Sequence, residues 1–589
     1  MTSPQPSPTG EGVAESKAKM NIIVNKIWKS RLWVLITIVA LVAINWLASL
    51  YHARIDLTNE KRFTFSSATK RALKKIDDVV TIDVFLKGEL RSGFKKLANS
   101  TSEILQEFKE VAGNKLQYNF IDPENEEAVA GIKWADSLSA LGFGINLTSQ
   151  VKAGQQQQYI YPVAFVHYKE TVVPVLIYQG KTKITTYAAI NSAEAMLEFN
   201  FISTIDKLVQ KTKPVVGYAV GNGEPTGYNV EDLVKNTLQQ EYEFFSINPN
   251  TQPVIPEEFK VLFVVKPTEP FSDEAKLRLD QYVMHGGKVL FFVDKLNAEL
   301  DSLQSKNGEV VAYDRQLGLN ELLFKYGARV NSDLVMDLQC DFLPFDVSGN
   351  GQFELLPWNY FPVFETKSNH VINKNLGFVS GRFVNSIDTV EAEGIKKTIL
   401  LSTSSNSRTI ATPALISVKE NVDAPENEKF KKANVPVAVL LEGKFQSLFS
   451  NRLSQSMNDT LQKYNSVFLQ QCINDNKMIV VADGDIVLNS VVKGNQAIPM
   501  GMNPFTFGSQ REFAFANKDF LQNCLDYLIN TSGLSEAKAK DYTLRLLDKK
   551  KVDEQKTTWQ FVNIAVPVLL VFLFAVIYQF LRKRKYTHT

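Results

Sequence analysis

The sequence predicts an α/β protein with an apolar helix at each end, and three observations carry the prediction. Two uncharged runs, Leu32 to Tyr51 and Trp559 to Leu581, bracket the chain. Between them, short runs rich in β-branched residues alternate with helix-like stretches. Two of those runs, Val261–Val265 (VLFVV) and Val289–Val293 (VLFFV), are apolar without alternation. That pattern marks parallel strands buried on both faces.

The terminal runs come first. Trp559 to Leu581 carries no charge. At about 1.5 Å per residue it makes a helix of roughly 35 Å, enough to cross a bilayer with some tilt. Pro567 interrupts the run, which a spanning helix tolerates. Arg582, Lys583, Arg584 and Lys585 follow directly and mark that side as cytoplasmic. A buried core helix is the rival reading, but such helices rarely lack a polar face. Leu32 to Tyr51 is preceded by Lys17, Lys19, Lys26, Lys29 and Arg31, so the N-terminus is expected in the cytoplasm too. Trp33, Trp46 and Trp559 stand where interfacial aromatics belong. A cleaved signal peptide is the alternative here; the long run and the lack of an A-x-A site oppose it. The expected layout is a disordered cytoplasmic tail (1–31), a first span (32–51), a large periplasmic body, a helical stalk (534–558), a second span (559–581) and a basic cytoplasmic tail (582–589). The protein is thus read as a two-pass protein of the cytoplasmic (inner) membrane.

Composition fits a folded external body. The 589 residues are 44% hydrophobic and 22% charged, and the formal charge is +2. So neutral a chain lacks the basic face of a nucleic-acid binder. The cysteines are Cys340, Cys472 and Cys524, with no C-x-x-C pair, and the five histidines are scattered. No zinc framework or redox motif is predicted, and no metal or cofactor.

Within 52–212, Ser66 or Ser67 caps a helix through Ile76. Strands are expected at Val79–Leu86, Lys115–Ile121, Tyr159–Tyr168 and Thr171–Tyr178, with Gly154–Gln158 as a loop. Helices are expected at about Phe94–Val111, Glu126–Leu141 and Ser192–Lys211. The resulting order, βαβαββα, is that of a thioredoxin-like domain. Pro162 stands near the start of the third strand, where such domains often place a cis proline, but the redox cysteines are missing.

Residues 213–533 read as a doubly wound α/β domain. Strands are expected at Pro214–Val220, Phe244–Ile247, Val261–Val265, Val289–Val293, Leu334–Asp337, Val435–Leu441 and Met478–Val481. Ser272 caps a helix that stops at Gly286-Gly287, and Lys518–Ile529 closes the domain with Phe520, Leu521, Cys524, Leu525 and Leu528 inward. Residues 342–434 are read as an insertion whose aromatic stretch, 353–364, is either a partner surface or a satellite core.

Several of these residues resemble a known family. The turn Gly221-Asn222-Gly223-Glu224, Ile255-Pro256, the stretch from Asp280 through Gly286-Gly287 to Asp294, the late Asp483-Gly484-Asp485 and Asn517 to Phe520 are similar to auxiliary proteins of ABC transporters. With an anchor at each end, the pattern resembles the gliding-motility-associated GldG family. The resemblance implies a class I glutamine amidotransferase-like fold for 213–533. It also implies partnership with a membrane permease like GldF and a cytoplasmic ATPase like GldA.

Catalytic signatures are missing. An amidotransferase needs a cysteine on the turn after a central strand; here that turn reads Lys266-Pro267-Thr268. Neither G-x-S-x-G nor a Walker motif occurs. The chain is therefore expected not to be an enzyme. Two polar turns are ligand candidates. Gly221, Asn222, Gly223 and Glu224 lie beyond a strand's carboxyl end, where such sheets bind ligands, although a tight turn is the plainer reading. Asp483 and Asp485 offer oxygens to a hard cation, but more often form a hydrogen-bonded turn. Asn45, Asn563 and Gln579 are polar groups within the spans able to bond a partner helix. The function expected is a non-catalytic auxiliary subunit coupling an external body to the permease; an anchored solute-binding protein is the alternative.

Overall fold

The computed structural model describes residues 32–50, 65–129, 131–151, 154–178, 187–210, 212–305, 308–347, 350–366, 368–374, 376–418, 427–464, 466–492, 496–509, 511–529, 533–534 and 549–586. The tail 1–31 with Arg31, most of the 534–558 stretch, and the side chains of Trp33 and Lys585 lie outside the described set. Residues 1–64 and 65–589 form two units.

In the first unit, helix α1 (Leu32–Leu50) is a 19-residue helix without an acidic first turn or basic last turn. Asn45 folds its amide back onto the Leu41 carbonyl at 3.1 Å, which satisfies it within its own helix. Trp46 is exposed.

The second unit starts with a cap. The Ser66 hydroxyl accepts the Thr69 N–H at 3.0 Å and opens α2 (Ser67–Lys74). There follow β1 (Val80–Val84), α3 (Ser92–Ala112), β2 (Leu116–Phe120), α4 (Trp134–Ala140), β3 (Val163–Tyr168), β4 (Thr171–Leu176) and α5 (Tyr187–Val209). The sheet order is β2-β1-β3-β4, with β1 and β2 parallel and the other pairs antiparallel. Alternate residues of β1 (Val80, Ile82, Val84) point into a core shared with Leu97, Leu105 and Phe108 of α3 and Phe201 and Ile205 of α5.

Two expectations fail in this lobe. The helix expected over 126–141 is a helix only from Trp134; before it, Glu127–Val129 and Ile132–Lys133 form a hairpin turning at Gly131, whose φ is 84°. Gly131 and the β-branched Val129 and Ile132 outweigh the helix formers around them. The glutamine stretch expected as a loop is a strand, Gly154–Ile160, paired antiparallel with Ile145–Val151. The cis peptide bond among the described residues is Thr412–Pro413, so Tyr161–Pro162 is trans.

The second lobe is built on β5 (Val215–Ala219), β6 (Glu243–Ile247), β7 (Phe259–Val265), β8 (Lys288–Phe292), β9 (Ile395–Ser402), β10 (Pro436–Gly443) and β11 (Asn476–Val481). Their order is β6-β5-β7-β8-β11-β10-β9. The first five run parallel, and β10 is antiparallel to both neighbours. Along β7, Val261, Phe263 and Val265 enter one core, and Leu262 and Val264 enter the other. Burial on both faces is why VLFVV shows no alternation. Helix α6 (Asp273–Met284), capped by Ser272 at 3.1 Å from the Ala275 nitrogen, covers the second face. Helix α7 (Asn517–Ile529) covers the first, with Phe520, Leu521, Cys524, Leu525 and Leu528 buried.

Two boundaries differ from expectation. Asp333–Asp337 does not join the central sheet; it pairs with Ser407–Ala411. Its neighbour Trp358 sits instead in a separate aromatic core with Tyr360, Phe361 and Phe383. The 342–434 stretch is also not a pure insertion, because it supplies β9, the edge strand of the main sheet.

Helix α8 (Lys549–Tyr586) contains Pro567 and runs through Trp559 to Arg582, Lys583 and Arg584. Gln555–Arg584 is long and apolar enough to cross a membrane, and none of its apolar window is buried in protein. Phe561 and Phe574 are each 72% exposed.

One lysine joins the two lobes. Lys207 of α5 lies 2.7 Å from Glu241 and 3.4 Å from Asp526 of α7. Burial opposes its charge, but Asp526 and Glu241 outweigh it and hold the ammonium above the usual lysine range.

A buried aspartate ties α6 to Tyr326 and to the loop that follows β10. Asp280 accepts hydrogen bonds from the Tyr326 hydroxyl at 2.8 Å, the Ser447 hydroxyl at 2.6 Å, the Leu448 N–H at 2.9 Å and the Gln281 amide at 3.0 Å. Asp280→Ala strands those donors and is expected to cost about 3 kcal/mol or more. A clear fall in the apparent Tm of the detergent-solubilised protein, larger than for an exposed Asp301→Ala control, is the expected reading.

Candidate functional site

The carboxyl ends of β7, β8 and β11 each run directly into charged residues. Strand β7 ends at Val265 and is followed by Lys266. Strand β8 leads to Asp294, and β11 leads through Ala482 to Asp483-Gly484-Asp485. Because these three strands are adjacent and parallel, their ends lie side by side. This is the edge at which open α/β sheets bind ligands.

Lys266 is the centre of the group. Its Nζ lies 2.8 Å from both Asp485 oxygens, 3.0 Å from Glu299 and 3.2 Å from Asp294 Oδ2. The Asp294 contact has ion-pair distance without hydrogen-bond geometry, so Oδ2 remains without a donor. Burial works against the ammonium, yet Asp485, Asp294 and Glu299 keep it charged and above the usual lysine range. Arg315 donates to the other Glu299 oxygen and closes that side.

The backbone is bent to place this side chain. Lys266 has φ 43°, left-handed for a residue that also precedes Pro267. Such a conformation costs about 1–3 kcal/mol and persists where neighbours fix it. Gly484 is one such neighbour: a Cβ there would lie 2.5 Å from the Lys266 Cβ, so glycine is required for the close approach.

Asp483 is fully buried and accepts the Asp485 N–H at 2.7 Å and the Arg382 N–H at 2.9 Å. Asp294 accepts the Gly484 N–H. One oxygen from each of Asp294, Asp483 and Asp485 lies within 4.8 Å of the others. Burial, then repulsion from Asp294 and Asp485, pushes the Asp483 carboxyl well above its usual range. Burial pushes Asp294 up to about 6, against the pull of Lys266. A polar cleft lined by Ser380, Arg382, Asp485, Asn503 and Asn517 opens onto the group. A separate crevice, lined by Pro253, Ile255, Arg278 and His285, is built around the opposite end of α6.

The turn Gly221-Asn222-Gly223-Glu224 follows β5 at the same edge, but its groups are engaged by the protein itself. The Asn222 carbonyl accepts the N–H groups of Thr268 and Glu269, each at 2.9 Å. The Asn222 amide donates to the Pro270 carbonyl at 2.8 Å, and Glu224 accepts the Asn222 N–H at 2.7 Å. Gly223 has φ 77°, and a Cβ there would meet the Thr268 hydroxyl at 2.0 Å. Glu224 Oε1 is buried without a hydrogen-bond donor, and burial raises that carboxyl.

The structure therefore brings Asp483 and Asp485 together with Lys266, Asp294 and Glu299, and sets Gly221–Glu224 against the Thr268–Pro270 loop. Lys266 and Glu299 escaped the sequence reading. A signal existed for Lys266: each continuous apolar strand run is followed at once by a charged residue. None existed for Glu299 or Arg315, whose roles depend on the path after β8.

Fold and site define a membrane-attached α/β protein whose sheet-edge crevice is filled by a paired lysine. The chain belongs to the ABC-type uncharacterized transport system family of auxiliary proteins, whose model matches residues 213–524. A second model, described as a domain of unknown function, matches residues 59–167. An uncharacterized protein of Borreliella burgdorferi is 21% identical over 457 residues, covering 74% of this chain and 82% of that protein. A solved structure, the mmIFT52 N-terminal domain, aligns over 53% of this chain and 96% of its own at 13% identity, with a TM-score of 0.29. So loose a likeness bears on neither fold nor function.

Asp294 generates a pH prediction. A carboxyl whose native pKa exceeds its unfolded value, about 3.9, binds more proton in the native state, so stability falls as pH rises. The window runs from about 4 to the native value of about 6. Asp294→Asn keeps an acceptor for Gly484 and removes the titration. Melting curves from pH 4 to 7 are expected to show a steeper decline for the unaltered protein than for this variant.

Proposed function

We propose that the protein is a non-catalytic auxiliary subunit of an ABC transporter complex, anchored at both ends, that couples an external body to a membrane permease and a cytoplasmic ATPase. Family membership supports the transport class. The observation that carries the non-catalytic reading is Lys266: it occupies the turn after the central strand β7, where a class I glutamine amidotransferase sets its cysteine, and three carboxylates hold it charged. An ammonium so paired has no free electron pair with which to attack a substrate.

The finer architecture is part of the same proposal. The order β2-β1-β3-β4 with an antiparallel third strand supports a thioredoxin-like reading of the first lobe. The five adjacent parallel strands support an amidotransferase-like reading of the second. Helix α1 acts as the first anchor and α8 as the second, with both termini cytoplasmic and the body periplasmic. The permease and ATPase would be relatives of GldF and GldA, and the process gliding motility.

Two experiments test this. Affinity purification of the tagged full-length protein in mild detergent is expected to retain a permease and an ATPase; purification of the protein alone would remove the coupling role. A chain ending at residue 534 lacks α8 and is expected to stay in the membrane fraction through α1. Its release into the soluble fraction would refute the two-anchor layout.

A further inference from the structure

We propose that the carboxyl ends of β8 and β11 form a divalent-cation site whose resident occupant is the chain's own Lys266 ammonium. Asp294, Asp483 and Asp485 each present an oxygen within 4.8 Å of the others, a spacing at which one ion can touch all three. Carboxylate oxygens suit hard ions such as Mg2+, Mn2+ and Ca2+. The lysine nitrogen lies 2.8 Å from Asp485 and 3.2 Å from Asp294, inside the same cluster, where its charge does the electrostatic work that a bound ion would do.

A second observation points the same way. Asp294 is 3% exposed, yet its Oδ2 receives no hydrogen bond. A single ammonium has three N–H groups, and here it serves Asp485 twice and Glu299 once. Lys266 meets that oxygen only as an ion pair at 3.2 Å outside hydrogen-bond geometry, whereas a spherical ion needs no such alignment. Access also exists, because Asp485 lines the polar cleft beside Ser380 and Asn503. Arg382 borders the same cleft and opposes a cation's approach, so the lysine is the favoured occupant of the unaltered chain.

Lysine and metal are thus mutually exclusive, and removing the lysine should open the site. This stands apart from the transporter reading, since neither the permease nor the ATPase takes part in it. The test uses the full-length protein in detergent micelles, with Mn2+ as the probe. Binding is followed by loss of the free-ion electron paramagnetic resonance signal, and melting is recorded with and without the ion. Lys266→Met is expected to bind Mn2+ at least about tenfold more tightly than the unaltered protein, on the scale of metal-site changes. Its melting temperature is expected to rise with Mn2+, while that of the unaltered protein stays put. Adding Asp294→Asn should abolish the gain. Lys266→Gln, which keeps a donor for Asp485, guards against a failure to fold and should behave like the methionine variant. Variants that fold only with Mn2+ present support the site equally. Folded variants that bind no better than the parent, variants that stay unfolded in Mn2+, or a parent that binds as well as they do would each overturn it.

Discussion

Lys266 and the acids around it set the terms for the carboxyl edge of the central sheet. Removing an ammonium from water costs several kcal/mol, and Asp485, Asp294 and Glu299 must offset that cost together. Such a group adds little net stability over an apolar packing, but losing one partner leaves a buried charge exposed to the full penalty. The register of β7, β8 and β11 sets their ends side by side, and the left-handed backbone at Lys266 and the glycine at 484 then let these charges come into contact. The arrangement explains why the edge that usually receives a ligand is lined here by the protein's own ion pairs.

Where local chemistry decides structure, the sequence could be read. Ser66 and Ser272 cap helices because a hydroxyl placed before each run can reach a free N–H. The runs VLFVV and VLFFV are central strands because helices cover both of their faces. The failures lie where distant partners decide. Residues 126–133 carry helix formers, but a positive-φ glycine at 131 closes a hairpin. Leu334–Asp337 has the composition of a central strand and is captured by 407–411 instead. Ile395–Ser402 holds the edge of the main sheet against β10, a pairing that no local pattern announces.

The site was legible to a similar degree. Asp483 and Asp485 stood out as polar groups after a strand. Lys266 was marked in the sequence by its place directly after an apolar strand run, but nothing in its neighbours shows that Glu299 and Asp485 come within 3.0 Å. The C-terminal apolar segment was the most direct reading. A helix apolar on every side has nowhere to go in water, and α8 accordingly leaves its aromatic and branched residues uncovered by the lobes.

Lys207 bridges the two lobes through its charge. Its ammonium, rooted in the closing helix of the first lobe, is clasped by acids from two separate helical segments of the second. Parting the lobes would break both ion pairs and return three part-exposed charges to water, so the clasp favours the joined arrangement only modestly. Added salt screens such a clasp, so the tie between the lobes loosens as ionic strength rises.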